Sequence, residues 1–341
     1  MAGISMRVGF VGYGYWGPNL ARSFAQTDGC TVAALCDDDG ERLSLAANSY
    51  PAAKVTTSYD HLLSDQSIDA VVIATPARLH FEFAMAALRR GKHVMVEKPM
   101  TRSVDEASRL ADEGARRNLV LLVNHTFLFT PAVRKLHEMI AAGILGNLRY
   151  FDSVRANRGL FREDVNVFWD VAVHDIAILQ YILKERPVAL SAVGVKEVQG
   201  NPESIGYLTM FFDSGMIAHL TASWLSPRKV RQVTIGGSER MVCYDDMEPN
   251  EKVKLYDRRV ASGALPELRN GLGAGYRRGD MWIPQIEGTE ALQSLAQHFR
   301  DCVQGTTLPL CDGDSGCRVI ELLNAVDRSV AAGGSKVRIQ C

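Results

Sequence analysis

Apolar runs and amphipathic stretches alternate along the first third of the chain. Runs suited to strands buried on both faces are predicted at residues 6–11, 31–36, 68–74, 93–97 and 119–124, with a short strand near 55–56. The stretches between them carry apolar residues at helical spacing, and Ser103-Val104-Asp105-Glu106 is a capping box that opens one of these helices. Strands alternating with helices predict an α/β domain with a doubly wound parallel sheet over residues 1–125.

The pattern changes after residue 125, where strand-like segments follow one another with short turns such as Asp213-Ser214-Gly215. These segments lie at 148–157, 188–198, 206–212, 216–223, 230–236 and 240–244. Helices are predicted at 131–142, 171–183, 289–302 and 315–332, and a long irregular excursion, rich in Gly, Pro and charge, at 246–288. The second domain, 126–341, is therefore predicted as α+β, built on an open, mostly antiparallel sheet.

A glycine-rich turn follows the first strand directly. Gly12-Tyr13-Gly14-Tyr15-Trp16-Gly17 has the spacing G-x-G-x-x-G, and Pro18 stands where a helix takes its first residues. Gly12 and Gly14 allow a tight turn close to a pyrophosphate, Gly17 lets the helix pack near the strand, and free N–H groups at the helix N-terminus bind the anion. We predict a dinucleotide-binding loop that includes Tyr15 and Trp16; a glycine-rich turn without a ligand is the alternative.

An acidic residue ends the second strand, and its position selects between cofactors. Asp37 lies 20 residues beyond Gly17. A carboxylate there accepts the ribose hydroxyls of an adenosine and repels a 2′-phosphate. No Arg or Lys follows until Arg42. The sequence therefore predicts NAD, rather than NADP, as the cofactor.

Composition narrows the choice of partners. The chain has 341 residues, 47% of them hydrophobic and 23% charged, with a net charge of −1, which gives no electrostatic reason to expect nucleic acid or a membrane as a partner. No apolar run approaches the ~20 residues of a membrane span, and the N-terminus enters a strand without a signal sequence. The seven cysteines form no C-x-x-C pair, so we expect a cytoplasmic protein without a metal site. The open sheet favours a homodimer or homotetramer.

Ligands of an open parallel sheet bind beyond the carboxyl ends of its strands, and three strand ends here carry polar residues. These are the glycine loop, Thr75-Pro76 with His80, and Glu97-Lys98-Pro99. A lysine beside a bound nicotinamide is partly desolvated and lies next to a positive ring. Both effects make its proton easier to release, which suits acid–base catalysis. Lys98 is the leading candidate for such a role; an ordinary surface lysine is the alternative.

A second cluster lies where the helix of the second domain begins. Asp170 and His174 are four residues apart and share one helical face, a spacing that suits a general base oriented by a carboxylate. A helix cap is the alternative for Asp170, and a buried core histidine for His174. Oxidation of a secondary alcohol needs a hydride acceptor, a base for the hydroxyl proton and a group that holds the forming carbonyl. His174 as base, Asp170 as its orienting group and Lys98 as the polar anchor would meet that need.

Taken together, Gly12–Gly17, Glu97-Lys98-Pro99 and Asp170-x-x-x-His174 resemble the Gfo/Idh/MocA oxidoreductases over essentially the whole chain. The resemblance implies a cis peptide between Lys98 and Pro99 and a catalytic triad of Lys98, Asp170 and His174. It also implies a cofactor site that is lined by Thr75, Pro76, His80, Glu97, Lys98 and Asn124. Polyols, sugars and nucleotide-linked sugars are the substrates of this family.

The segments 161–170, 297–302 and 312–316 resemble the nucleotide-sugar branch of that family, whose members oxidise C3 of UDP-N-acetylglucosamine or its uronic acid to a 3-keto sugar. Lys98, Asp170 and His174 would contact the substrate. Contacts to its diphosphate or carboxylate are expected from Arg155, Asn157, Arg158, Arg162, Arg228 and Lys229. Two alternatives remain open. One is a free polyol dehydrogenase of the inositol 2-dehydrogenase type, and the other is a non-catalytic sensor that binds a dinucleotide.

Overall fold

The computed structural model describes residues 5–158, 162, 165–197, 201–260 and 276–339. The chain divides into two compact units. The first comprises residues 1–129 and 289–321, and the second comprises 130–288 and 322–341.

The first unit is built on a six-stranded parallel sheet in the order β3-β2-β1-β4-β5-β6. Its strands are β1 (Met6–Val11), β2 (Cys30–Cys36), β3 (Lys54–Thr56), β4 (Ala70–Ile73), β5 (His93–Glu97) and β6 (Leu121–Asn124). All residues of β4 and β6 are buried, as expected for strands with helices on both faces. This strand order is that of the Rossmann fold, so the predicted fold class is confirmed.

Helices connect these strands, as the alternating pattern predicts. They are α1 (Gly17–Ala25), α2 (Gly40–Ser49), α3 (Tyr59–Ser64), α4 (His80–Arg89) and α5 (Val104–Arg117), with short 3₁₀ turns at Ala77–Leu79 and Thr126–Phe129. The capping box of α5 forms in part, because the Ser103 hydroxyl accepts a hydrogen bond from the Glu106 N–H. Asn118 ends this helix in the left-handed conformation, with φ of 55°.

The second unit contains a nine-stranded sheet in the order β14-β13-β12-β11-β7-β10-β9-β8-β15. The strands are β7 (Leu148–Arg158), β8 (Ala189–Val195), β9 (Ile205–Phe211), β10 (Ile217–Ser223), β11 (Leu225–Gly237), β12 (Met241–Asp245), β13 (Val253–Val260), β14 (Tyr276–Trp282) and β15 (Val337–Arg338). Neighbouring strands are antiparallel except β7 and β10, which pair in parallel. The prediction of a mostly antiparallel sheet in an α+β domain is confirmed.

This unit contains α6 (Pro131–Ala141), α7 (Val173–Ile182) and the part of the last helix that begins at Leu322. A π-helical turn, Phe168–Ala172, leads directly into α7, whereas the sequence predicted a regular helix from residue 171. The Phe168 ring packs on β9 at Gly206, where a Cβ atom would collide with it. A side chain at position 206 would therefore displace the π turn, which carries Asp170.

Two predictions about the second half of the chain are wrong. Residues 246–288 were expected to be irregular, but β13 and β14 lie within them; residues 261–275 are outside the described residues. The domain 126–341 was expected to be continuous, but α8 (Ala291–Val303) and the start of α9 (Gly313–Ala331) belong to the first unit. Tertiary contacts explain this assignment: the Val123 N–H of β6 donates to the backbone carbonyl of Cys311, and the ring of Phe299 in α8 contacts that of Phe24 in α1.

Across the described residues, no helix is both long enough and apolar enough to cross a membrane. The same part of the chain holds no cluster of His, Cys, Asp and Glu that is suited to a metal ion.

Candidate active site

The glycine loop after β1 has the shape that a dinucleotide needs. Gly12 has φ of +90°, and a Cβ atom there would lie 2.6 Å from the carbonyl oxygen of Ala74. Gly17 lies against the carbonyl of Gly12, so any side chain at Gly17 would collide with the loop. Beside Gly14 the space is open, and the nearest side chain is Arg42, 3.8 Å from where a Cβ atom would lie. The loop therefore leaves room for a pyrophosphate at the N-terminus of α1.

Tyr15 and Trp16 form an aromatic pair on this loop. Their rings meet edge to face with centroids 5.3 Å apart. Tyr15 is 83% exposed and Trp16 is 38% exposed, which is unusual for large aromatic side chains. The pair remains a predicted part of the cofactor site.

Asp37 connects the end of β2 to the glycine loop. Its buried carboxylate accepts hydrogen bonds from the backbone N–H groups of Tyr13, at 2.5 Å, and of Asp39, at 2.9 Å. The half-exposed Arg42 guanidinium lies 3.6 Å from Asp37 Oδ1 and 3.4 Å from Asp39 Oδ2. Asp37 is therefore held where it would meet the adenosine ribose, and its negative charge attracts the nearby Arg42 guanidinium.

We expect Asp37→Ala to weaken NAD binding and to reduce the preference for NAD over NADP by about tenfold or more, roughly 1.4 kcal/mol. The variant removes the charge that repels a 2′-phosphate and leaves Arg42 without one of its carboxylates. Titration of both cofactors against tryptophan fluorescence measures the ratio. Asp38→Ala, a change at the exposed neighbour, is the control. An unaltered ratio in Asp37→Ala would remove this residue from cofactor selection.

His80 joins two strand-end loops. It is buried, with Nδ1 2.7 Å from the carbonyl oxygen of Pro99 and Nε2 2.8 Å from that of Thr75. Both ring nitrogens are therefore engaged by the loops after β4 and β5. The place of His80 in the cofactor site remains a prediction, and its two backbone contacts fix the ring between these loops. Thr75 Oγ1 is buried and, within the described residues, has no hydrogen-bond partner.

Glu97, Lys98 and Asn124 meet at the ends of β5 and β6. Glu97 and Asn124 are paired in register, and the Asn124 amide donates to one Glu97 carboxylate oxygen while the Lys98 N–H donates to the other, at 3.2 Å. The Thr126 hydroxyl donates to the side-chain Oδ1 of Asn124 at 2.6 Å. The peptide between Lys98 and Pro99 is cis, as the family resemblance implied. Burial raises the pKa of Glu97 to about 7, although the Lys98 charge and the Asn124 hydrogen bond oppose the shift.

This raised pKa predicts how stability depends on pH. Glu97 binds its proton more tightly in the folded protein than in the unfolded chain, so its ionisation costs stability as pH rises from about 4.5 to about 7. Glu97→Gln removes this ionisation, so its stability should lack the fall, on the order of 2 kcal/mol, that the wild type shows between pH 5 and pH 8. Melting temperatures across this range test the prediction, with exposed Glu82→Gln as the control. Parallel curves for the wild type and Glu97→Gln would contradict it.

His125 is a candidate that the sequence reasoning missed. It follows Asn124, so the register of β5 and β6 places it beside Lys98. It is only 4% exposed, and within the described residues neither of its ring nitrogens has a hydrogen-bond partner. Burial, reinforced by the Lys98 charge, lowers the pKa of His125 to about 4, so the ring is neutral at pH 7. Its position directly after a polar strand end was the available signal.

These observations test whether the first unit fits NAD. The open space at Gly14 suits a pyrophosphate, and Asp37 suits a ribose. Thr75 Oγ1 and the His125 ring are buried polar groups at the carboxyl edge of the sheet that lack partners in the described residues. Buried polar groups in native proteins are nearly always hydrogen-bonded, so these atoms are suited to a ligand. The residues fit the cofactor.

In the second unit, Asp170 lies inside the π turn, and its carboxylate contacts Trp224 and Arg162. Its Oδ2 accepts a hydrogen bond from the Trp224 indole at 3.0 Å, and its Oδ1 lies 3.5 Å from Nε of Arg162. The helix-cap interpretation of Asp170 is wrong, because Asn166 takes that role by accepting from the N–H groups of Phe168 and Trp169. His174, half-buried, stands four residues on, in the first turn of α7. π turns occur often at functional sites.

The remaining predicted substrate residues have different environments. Arg155 is buried on β7 and makes a two-point ion pair with Asp175 of α7, at 3.0 and 2.7 Å, in place of the expected substrate contact. Asn157 is half-buried, and its Oδ1 has no hydrogen-bond partner within the described residues. Arg228 and Lys229 are exposed. The side chain of Arg158 lies outside the described residues.

A Rossmann sheet, an open glycine loop and a strand-end acid that suits a ribose define an NAD-binding protein of the dehydrogenase class. Comparison with known families gives the particular one. A model of the oxidoreductase family with an NAD-binding Rossmann fold matches residues 6–125, and a model of the GFO/IDH/MocA C-terminal domain matches residues 133–243. The chain belongs to the Gfo/Idh/MocA family of oxidoreductases, and its cofactor is NAD. The sensor alternative is set aside, because the named relatives are dehydrogenases and reductases.

Three relatives illustrate the range of similarity. The UDP-N-acetylglucosamine 3-dehydrogenase of Acidithiobacillus ferrooxidans is 29% identical over 93% of this chain and 95% of its own. Its solved structure superposes with a TM-score of 0.82 at 26% identity, over 96% of this chain and 99% of the other. The uncharacterized oxidoreductase YdgJ of Escherichia coli is 35% identical over 85% of this chain and 83% of its own. Inositol 2-dehydrogenase 2 of Saccharopolyspora erythraea is 30% identical over 55% of this chain and 57% of its own.

Proposed function

We propose that this oxidoreductase oxidises C3 of a nucleotide-linked sugar, such as UDP-N-acetylglucosamine or its uronic acid, to a 3-keto sugar. The supporting observation is the nearly end-to-end similarity to a UDP-N-acetylglucosamine 3-dehydrogenase. The chain also carries proton-transfer groups suited to alcohol oxidation: Lys98 in the first unit, and Asp170 with His174 in the second.

In this proposal each group has one task. When bound, NAD supplies the acceptor for the hydride that leaves the sugar carbon. His174 accepts the proton of the hydroxyl, so that proton and hydride leave as the C–O bond becomes a carbonyl. Asp170 orients the imidazole and stabilises it once protonated. The Lys98 ammonium donates a hydrogen bond to the sugar oxygen and holds it as the carbonyl forms.

The surroundings of Lys98 support its role. It is half-buried, and it stands next in sequence to the Glu97 carboxylate and next in register to the neutral His125. Glu97 is held by Asn124 and by the Lys98 backbone, so the strand end that carries Lys98 is fixed at several points. A fixed donor pays little reorganisation cost when charge develops on the substrate oxygen.

A nucleotide-linked substrate brings a diphosphate, and its uronic acid adds a carboxylate. Arg162 is half-exposed and carries a guanidinium suited to either anion. Asn157 adds an amide with an available acceptor oxygen. Arg228 and Lys229 add exposed positive charge. These four residues are the proposed basis for preferring an anionic sugar to a neutral polyol.

The second candidate function is oxidation of a free polyol, which the similarity to an inositol 2-dehydrogenase favours. A substrate panel separates the two: UDP-N-acetylglucosamine, its uronic acid, myo-inositol and glucose are each incubated with enzyme and NAD in single-turnover amounts. NADH absorbance and mass-spectrometric detection of the ketone report oxidation, even where the equilibrium is unfavourable. Oxidation of myo-inositol alone would replace the proposal by the alternative, and no oxidation of any panel member would overturn both.

A further inference from the structure

Trp224 is a buried tryptophan whose indole N–H is directed to Asp170, which the proposed function pairs with the base His174. It lies at the bend where β10 ends and β11 begins, and it is 3% exposed. Its indole Nε1–H donates to Asp170 Oδ2 at 3.0 Å, across 54 positions of sequence. A buried indole N–H needs an acceptor, and here that acceptor is a carboxylate.

The backbone of the π turn is already fixed without this bond. The Val167 N–H donates to the Glu203 carbonyl at 2.9 Å, and the Phe168 ring packs on Gly206 of β9. Asn166 satisfies the N–H groups of Phe168 and Trp169. The turn would therefore hold its place if the indole N–H were removed. What the Trp224 bond adds is control of the Asp170 side chain.

We propose that Trp224 is a positioning residue for the reaction. It fixes the rotation of the Asp170 carboxylate and stabilises its charged form, so that Asp170 orients His174. The indole occupies Oδ2 while Arg162 lies beside Oδ1, so both carboxylate oxygens have a defined neighbour. A hydrogen bond to a carboxylate favours the ionised form, and loss of the bond makes protonation easier. The proposal rests on the proposed function, since it assigns Asp170 its role there.

The same segment supplies a matched control. Trp169 is also buried, and its indole Nε1–H donates to Asp327 Oδ2 at 2.8 Å. Asp327 lies on α9 and has no part in the proposed reaction. Trp224→Phe and Trp169→Phe each remove one indole N–H from one aspartate and keep an aromatic ring in place. Only the first change should affect proton transfer.

We expect Trp224→Phe to lower kcat by about tenfold, with KM and the Kd for NAD nearly unchanged. The acid limb of its pH–rate profile, which protonation of His174 sets, should move to higher pH by about one unit, because a carboxylate without the indole hydrogen bond holds the His174 proton more strongly. Trp169→Phe should leave that limb in place. In an Asp170→Asn background, Trp224→Phe should have no further effect on kcat. An unshifted acid limb in Trp224→Phe, or equal effects in both backgrounds, would overturn the proposal.

A second measurement does not depend on turnover. The chain has four tryptophans, so single Trp→Phe variants of the ¹⁵N-labelled protein assign each indole N–H resonance. The Trp224 resonance should shift on acidification as Asp170 takes up a proton, and the shift should be absent in Asp170→Asn. If no panel sugar is oxidised, the proposed function fails, and this titration still decides whether Trp224 senses the charge of Asp170. A resonance that does not respond to Asp170→Asn would refute the contact.

Discussion

Lys98→Met is expected to lower kcat by about 10²–10⁴-fold while NAD binding changes by only a few-fold. The substitution keeps an unbranched side chain of similar length but removes the ammonium at the end of β5. In the proposed reaction that ammonium donates to the sugar oxygen as the carbonyl forms, an interaction that is stronger in the transition state than in the bound substrate. The loss should therefore appear in kcat and in kcat/KM together.

Tryptophan fluorescence titration with NAD, combined with single-turnover oxidation of the preferred sugar, measures the two effects separately. Lys54→Met serves as the control, because Lys54 is an exposed lysine whose ion pair with Asp65 lies on the surface of the first unit. A kcat for Lys98→Met close to that of Lys54→Met would show that Lys98 has no catalytic role. A large loss of NAD affinity with unaltered kcat would instead assign Lys98 to cofactor binding.

The first unit could be predicted from sequence because its signals are local. Each buried strand is a short apolar run, and the residues that matter directly follow a strand: the glycine loop follows β1, Asp37 follows β2, and Lys98 follows β5. In a parallel sheet these ends share one edge, so adjacency in sequence becomes adjacency in space. The capping Ser103 and the cis Lys98–Pro99 peptide were likewise evident from neighbouring residues and the family resemblance.

The residues whose surroundings the sequence did not predict depend on distant partners. Arg155 looked like a substrate contact, yet it pairs with Asp175, 20 positions away, because β7 faces α7. Asp170 had the position of a helix cap, but Asn166 takes the cap and Trp224, 54 positions away, binds the carboxylate. His125 carried no motif at all. Its burial comes from the tertiary structure around β6, which no local pattern encodes.

Helix α8 shows the same limit at the level of domains. Its sequence predicts a helix correctly, and nothing within it says which unit it joins. Phe299 packs against Phe24 of α1, and the segment before α9 pairs with β6. The amphipathic pattern fixes which face of a helix is buried, whereas the surface that covers that face is set by the rest of the fold. Assignment by position along the chain therefore failed for residues 289–321.

His174→Gln should lower kcat by about 10²–10⁴-fold, since the proposed base for the hydroxyl proton is lost. Glutamine keeps a polar side chain of similar reach but cannot accept a proton near neutral pH. The residual rate should therefore rise with pH wherever the wild type has reached its plateau. In His174→Gly, which leaves a cavity where the ring stood, imidazole added to the assay should restore part of the activity.

The pH–rate profile with and without imidazole is the measurement, and His137→Gln is the control. His137 lies on α6 of the same unit, where its ring stacks on Tyr181 at 4.5 Å, and it has no role in the proposed reaction. Because Lys98 and His174 serve one proton-and-hydride transfer in the proposed reaction, Lys98→Met combined with His174→Gln should cost much less than the product of the single losses. Independent, fully multiplicative losses would show that the two residues do not act on the same step. A profile for His174→Gln that matches the wild type would transfer the role of base to another group.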